Sequence, residues 1–194
     1  MLSRFVRNYR IKRAKRSFEA NAMVGAGFKC SMNFCVNSNQ RTAIQIGENC
    51  TIGANLFCAS KGKISIGDHT WIGGNSSISA AQGITIGSFC AISRDVEIRD
   101  NNSHPLDPTL RRKHLLDDSP GWGMENWYDS DMDQITIEND VWIGRRVLIM
   151  KGVHLGAGTV VAAGSIVTKS FPRLSVIAGN PAKLIKTLEF ELPV

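Results

Sequence analysis

From Ile137 onward the chain repeats itself every six residues: IENDVW, IGRRVL, IMKGVH, LGAGTV, VAAGSI and VTKSFP follow one another in unbroken register. A branched aliphatic opens each unit (Ile137, Ile143, Ile149, Leu155, Val161, Val167), and a small or β-branched residue stands four places on (Val141, Val147, Val153, Thr159, Ser165). A period of six fits neither the 3.6 of an amphipathic helix nor the 2.0 of a two-sided strand. It fits a short strand plus a corner. Three such units, or 18 residues, close one triangular coil, and stacked coils make a parallel β-helix.

The same openings recur upstream. Val24, Cys30 and Val36 begin a loose first coil; Ile46, Ile52 and Cys58 a second; Ile66, Ile72 and Ile78 a third; Ile86, Ile92 and Ile98 a fourth. Coil starts lie 22, 20 and 20 residues apart, so the early coils carry two to four extra residues at a corner. The next start, Ile137, comes 51 residues after Ile86, which leaves a 33-residue excursion near 99–134. The expected domain is therefore an all-β solenoid of about six coils over residues 24–187. It is preceded by a helical arm, 1–23, and followed by a tail, 188–194. At ~4.8 Å per coil the prism is roughly 25–30 Å tall. A long loop leaving a regular scaffold is usually functional, and this one carries Trp122, Met124, Trp127 and Tyr128, too apolar for a linker.

Composition agrees with a solenoid: 7% aromatic residues, because coil interiors admit few rings, and 18 glycines for many corners. The five cysteines lack CxxC spacing, and no membrane-length apolar run or signal peptide precedes the domain, so a reduced, cytoplasmic protein is expected. Cys30 and Cys58 fall on opening positions and Cys50 and Cys90 on small positions, as buried hydrophobes. The net charge of +6 is local. Seven basic residues (Arg4, Arg7, Arg10, Lys12, Arg13, Lys15, Arg16) crowd the first sixteen positions and leave 16 basic against 17 acidic residues elsewhere. With Leu2, Phe5, Val6 and Tyr9 at helical spacing, two readings stand. The arm is a peripheral contact for an anionic membrane at its inner face, or a helix capping the open end of the solenoid. Nucleic acid is not an expected partner, since no stacking aromatics or recognition module accompany the charge.

The hexapeptide runs are joined by the loop opening His104-Pro105-Leu106-Asp107-Pro108 with Arg111 and Arg112 behind it. DVWIG at 140–144, GAGTVVAAGSIVTK at 156–169 and AGNPAK at 178–183 complete a pattern that resembles the hexapeptide acyltransferase superfamily. Within it the chain is similar to the galactoside, maltose and nodulation-factor acetyltransferases and to the O-acetyltransferases of bacterial surface polysaccharides. The resemblance covers roughly residues 24–187. It implies a left-handed β-helix and a homotrimer with acetyl-CoA in the groove between neighbouring solenoids.

Acetyl transfer from a thioester to a sugar hydroxyl needs a base, which a neutral histidine supplies, and donors for the tetrahedral oxyanion. By resemblance His104 is that base. His114, in the same loop, reads as a surface histidine, and His69 and His154 fall on outward positions. The four histidines show no ligand spacing, so no metal is expected. For the donor, the resemblance places Trp142 beside the acetyl and pantetheine slot, or else on an apolar rim. Arg145 stands where relatives often carry a serine or alanine. Ala163 lies on the pantetheine track, Thr168 and Lys169 near the adenine and phosphates, and Lys183 within reach of the 3′-phosphate, unless the lysines are plain surface charges. For the acceptor, Asn102, Asp107 and Arg111 flank the base. Trp122 and Trp127 either stack on a pyranose or pack the loop onto the solenoid. The galactoside and maltose enzymes carry an N-terminal acceptor domain that this chain replaces with a basic arm and a longer loop, which favours a larger, lipid-linked glycan. The expected activity is an acetyl-CoA-dependent O-acetyltransferase of a surface polysaccharide or its precursor. The alternatives are another acceptor (an amino sugar, an antibiotic or a serine-like molecule) and a non-catalytic scaffold.

Overall fold

The structure, a computed structural model, describes residues 2–31, 35–38, 40–116 and 124–191; Trp122 lies outside the described residues. Helix α1 (Leu2–Asn21) leads into six coils of three short strands. The first has β1 (Met23–Val24), β2 (Lys29–Cys30) and β3 (Val36–Ser38); the second β4 (Ile44–Ile46), β5 (Thr51–Ile52) and β6 (Asn55–Cys58). The third has β7 (Ile64–Ile66), β8 (Trp71–Ile72) and β9 (Ser77–Ala80); the fourth β10 (Ile84–Ile86), β11 (Ala91–Ile92) and β12 (Glu97–Arg99). The excursion holds helix α2 (Pro108–Leu116) and a 3-10 turn, Met124–Asp129. The fifth coil has β13 (Ile135–Ile137), β14 (Trp142–Ile143) and β15 (Leu148–Ile149); the sixth β16 (His154–Leu155), β17 (Val160–Val161) and β18 (Ile166–Val167).

These strands stack into the three faces of a left-handed parallel β-helix. The first face is β1-β4-β7-β10-β13-β16 and the third is β3-β6-β9-β12-β15-β18. The second is β2-β5-β8-β11-β14-β17, continued by β19 (Ser175–Gly179) and β20 (Ala182–Thr187). Register follows the sequence period: Ile46, Ile66, Ile86, Ile137 and Leu155 stack on the first face. Ile52, Ile72, Ile92, Ile143 and Val161 stack on the second, and Ile78, Ile98, Ile149 and Val167 on the third. Every one of these side chains is buried. Each contributes about 1.5–3 kcal/mol by leaving water, which stabilises strands too short to persist alone. Burial also pushes the Cys58 and Cys90 thiols up to about 11, as small core residues.

The solenoid runs past its sixth coil. Phe171 bridges to Leu155 on the first face, and β19 pairs parallel with β17. The chain then reverses through the cis Asn180–Pro181 bond, and β20 pairs antiparallel with β19. The AGNPAK segment is thus a hairpin turn, and residues 182–187, read from sequence as solenoid, form an antiparallel strand. At the other end Phe18 and Ala22 are fully buried, with Phe18 edge-on to Phe28 at 5.0 Å, so the last turns of α1 close the first coil. Val6 and Tyr9 remain exposed. Among the described residues no helix is long and apolar enough to cross a membrane.

At the corner between first and second faces the chain takes positive φ in every coil, at Gly27, Asn49, His69, Phe89, Asp140 and Gly158. Glycine, asparagine, aspartate and, less often, histidine suit this left-handed conformation; Phe89 does not. The His69 and Phe89 rings stack face to face, 5.1 Å apart, on the outside of the corner.

Candidate active site

The excursion leaves the corner between third and first faces at the end of β12, and its root is locked. Asp100 is fully buried. Its Oδ1 accepts from Ala81 N–H at 2.7 Å, and its Oδ2 from Gln82 and Gly83 N–H at 2.8 and 2.7 Å. The Asn101 side-chain amide donates to the same Oδ1 at 3.0 Å, and Asn101 Oδ1 accepts from Ser103 N–H at 2.9 Å. Ser103 is held at φ 65, and its hydroxyl meets Arg99, which also pairs with Glu97 at 2.6 Å. The returning strand completes the clamp. Asp133 N–H donates to Asp100 O at 2.9 Å, Asn102 N–H to Asp131 O at 3.0 Å, and Asn101 bridges antiparallel to Met132. His104 follows directly, exposed at the mouth.

Beyond it the loop folds on its own terms. Pro108 starts α2 with no N–H to satisfy, and Asp107 Oδ1 caps the helix by accepting from Thr109 N–H at 2.7 Å. Arg111 turns back to donate to the carbonyls of Pro105, at 2.8 Å, and Leu106. Two side chains expected from sequence to face a sugar therefore hold the HPLDP turn in shape. Asn102 is half-buried, with its amide 3.5 Å from Asp131. The second histidine is not the surface residue expected. His114 is 11% exposed, with Nε2 2.7 Å from Asp129 Oδ2, and its Nδ1 is buried without a partner among the described residues. It ties α2 to the 3-10 turn, which docks on the solenoid through Tyr128, whose hydroxyl accepts from Lys61 N–H at 2.6 Å. Trp127 is half-buried in that turn.

The residues expected to hold the donor fall into two groups. Thr168 and Lys169 sit on the same corner as the loop root, two coils above it, with Lys169 Nζ 5.6 Å from the Phe171 ring centre. The rest lie elsewhere. Trp142 points outward from the second face, 55% exposed, in a row with Trp71, Ala91 and Val160. Arg145 and Ala163 occupy the corner between second and third faces, and Lys183 is exposed on β20. Gly144 lets Ala163 stack closely, since a Cβ at 144 would come within 2.6 Å of Ala163 N. Arg145 donates to Asp95 at 2.7 Å and, as the main cause, holds that carboxyl below its usual range. In a triangular prism the loop corner faces away from the second face. Six residues per side at about 3.3 Å give sides of at most ~20 Å, so the loop-root corner and the second face that carries Trp142 stand on opposite sides of a prism about 17 Å deep.

His69 stands on the stacked corner described above. His154 lies on the first face, with Nε2 2.7 Å from Glu138 Oε1 and facing a ≈ 470 Å³ cleft with Ser170 and Arg173. Among the described residues no three His, Cys, Asp or Glu side chains converge to hold a metal. Sequence reasoning missed Asp100, Asp95 and Tyr128. Only the polar run Asp100-Asn101-Asn102 straight after the Glu97-Ile98-Arg99 strand hinted at the first.

Residues 134–169 match the family model described as bacterial transferase hexapeptide (six repeats), and 37–58 and 63–93 match the hexapeptide repeat of succinyl-transferase. WbbJ of Escherichia coli, assigned to O-acetyl transfer in lipopolysaccharide biosynthesis, is 31% identical over 151 residues, 77% of this chain and 74% of its own. Other curated relatives are matched over 53% of this chain, which spans only 29% and 59% of their lengths. Among solved structures, the polysialic-acid-specific acetyltransferase NeuO superposes with a TM-score of 0.65 at 28% identity, covering 89% of this chain and 84% of its own. A hexapeptide-repeat acetyltransferase of Vibrio cholerae, complexed with acetyl coenzyme A, gives 0.56 at 26% identity over 85% and 73%.

Proposed function

We propose that this chain, which belongs to the hexapeptide-repeat acyltransferase superfamily, transfers acetyl from acetyl-CoA to a sugar hydroxyl of a cell-surface polysaccharide or its lipid-linked precursor. The family membership rests on the WbbJ match and the two family models. The donor is suggested by the acetyl-CoA complex of the Vibrio relative, and the acceptor class by the names of WbbJ and NeuO.

The observation that carries the reading is the contrast between the loop's two histidines. His104 is exposed at the mouth of a locked root, whereas both ring nitrogens of His114 are shut away from solvent or bound to Asp129. Of the two, His104 is the one exposed to an incoming hydroxyl, which supports it as the base. In the proposed reaction the sugar oxygen attacks the thioester carbonyl as His104 removes its proton. The tetrahedral oxyanion collapses, the C–S bond breaks, and the proton passes to the departing CoA thiolate. No enzyme nucleophile takes part.

The opposition of His104 and Trp142 implies that one site is built by two copies. The loop corner of one chain, with Thr168 and Lys169, faces the second face of the next, with Trp142, Arg145, Ala163 and Lys183. With a three-fold rotation a head-to-tail contact of this kind closes as a ring of three, the assembly the resemblance implies. Among the described residues, Asn102 and Trp127 are the candidates to meet the acceptor whose side chains do not brace the HPLDP turn. The basic arm serves an anionic membrane surface beyond the turns that cap the first coil.

The test is thiol release from acetyl-CoA with polysialic acid and lipopolysaccharide oligosaccharides as acceptors. His104→Ala should lower turnover roughly 10²–10⁴-fold with acetyl-CoA binding unchanged, and His114→Ala should retain far more. Near-normal turnover by His104→Ala would refute the assignment.

A further inference from the structure

We propose that Asp100 is a positioning residue of the acyl transfer, setting the place of His104 through Asn101 and Ser103; the inference rests on His104 being the base. A fully buried carboxylate is costly to keep, and other side-chain caps of the solenoid, such as Asp68 on Glu48 N–H and Asn139 on Ser88 N–H, sit at exposed corners. The corner at 59–62 closes with Gly62 N–H on Ala59 O at 2.9 Å, and that at 150–152 with Gly152 N–H on Asp133 O at 3.1 Å. Among the described residues only the corner below the loop root takes a buried side-chain anion, with three N–H groups of residues 81–83 converging on it as in an anion-binding nest.

The direction of each bond explains why an anion stands there. Because the Asp100 oxygens can only accept, the Asn101 side chain must present its NH₂ to them. That leaves Asn101 Oδ1 as the atom facing Ser103 N–H. Ser103 is thereby pinned in the left-handed region at φ 65, with Arg99 on its hydroxyl, and the next Cα belongs to His104. One fixed pattern of donors and acceptors thus runs from the rigid coil to the reacting group. Asp100→Asn reverses it. Turned to satisfy Gln82 and Gly83, the new amide points NH₂ at Ala81 N–H and at the Asn101 amide. If Asn101 flips in response, its own NH₂ meets Ser103 N–H. Turned the other way, the new amide meets Gln82 and Gly83 donor to donor.

The experiment measures turnover and acetyl-CoA affinity for Asp100→Asn, Asn101→Leu and His104→Ala, and for each of the first two combined with His104→Ala, using the acceptor that the wild-type enzyme turns over. Asn101→Leu leaves the three main-chain bonds to Asp100 in place and cuts only the Asn101 side-chain bonds to Asp100 and Ser103, so it guards against a folding defect in Asp100→Asn. Both single variants should lose about 10- to 100-fold in kcat, the cost of a base displaced by around 1 Å, with acetyl-CoA Kd within about twofold. In the His104→Ala background neither should lose more. Full turnover by Asn101→Leu, or a further loss in the double variants, overturns the role of Asp100. So does a parallel loss of acetyl-CoA binding. A His104→Ala protein with normal turnover instead overturns the base assignment itself, which the same data set distinguishes.

Discussion

If each site joins the loop corner of one copy to the second face of the next, two inactive variants should repair each other. His104→Ala removes the base but leaves the second face intact. Ala163→Trp sets an indole on the exposed corner beside Arg145 and blocks the proposed donor track, but leaves the loop intact. Each homotrimer should be inactive. When the two chains are unfolded together in equal amounts and refolded, half of all loops and half of all second faces are wild type. Their chance pairing makes about one quarter of the sites competent in a ring of head-to-tail contacts. The mixture should therefore recover roughly 25% of wild-type turnover per site, against a residual of at most about 1% for either parent. Thiol release from acetyl-CoA gives the rate, and native mass spectrometry of one isotopically heavy variant verifies that mixed trimers form. Mixed trimers that stay at the parental rate would refute the shared site and place His104 and its donor on one chain, against the ~17 Å prism between them.

Two further outcomes test the scaffold. Phe18→Ala should cost about 3–5 kcal/mol, since the ring is fully buried on the first coil, while deletion of residues 1–12 should leave Tm unchanged and weaken binding to anionic vesicles in a salt-dependent way. Equal vesicle binding with and without those residues would leave α1 as a cap alone. Glu138 contributes to the pH dependence of the upper coils. The Ala157 N–H, then His154, holds its carboxyl below the usual range, so its stabilisation is present at neutral pH and is lost as pH falls through the depressed folded value. Glu138→Gln should flatten the acid limb of a Tm–pH curve, and an unchanged limb would refute that account.

The repeat was legible in the sequence because a coil asks for one thing every six residues: a branched aliphatic that fills the interior above its counterpart. Ile46, Ile66, Ile86 and Ile137 announce the first face without any knowledge of the tertiary structure, and the 51-residue gap after Ile86 announces the loop. His104 stood out as the candidate base for a different reason, the compact HPLDP run that makes the resemblance specific. What the chain does between and beyond the repeats was not. The use of Asp107 as a cap and Arg111 as a brace depends on where the turn brings carbonyls, and Asp100 looks like any loop aspartate until three N–H groups converge on it. The end of the solenoid at β20 likewise follows from a hairpin that no six-residue period records. Most of all, sequence order places Trp142, Arg145 and Ala163 near Thr168 and Lys169, but the coil carries them to different sides of a prism. Periodicity dictates which residues point inward, because burial is decided locally. Which outward residues can meet within one chain is decided by the closed triangle, which sets the loop corner opposite the second face.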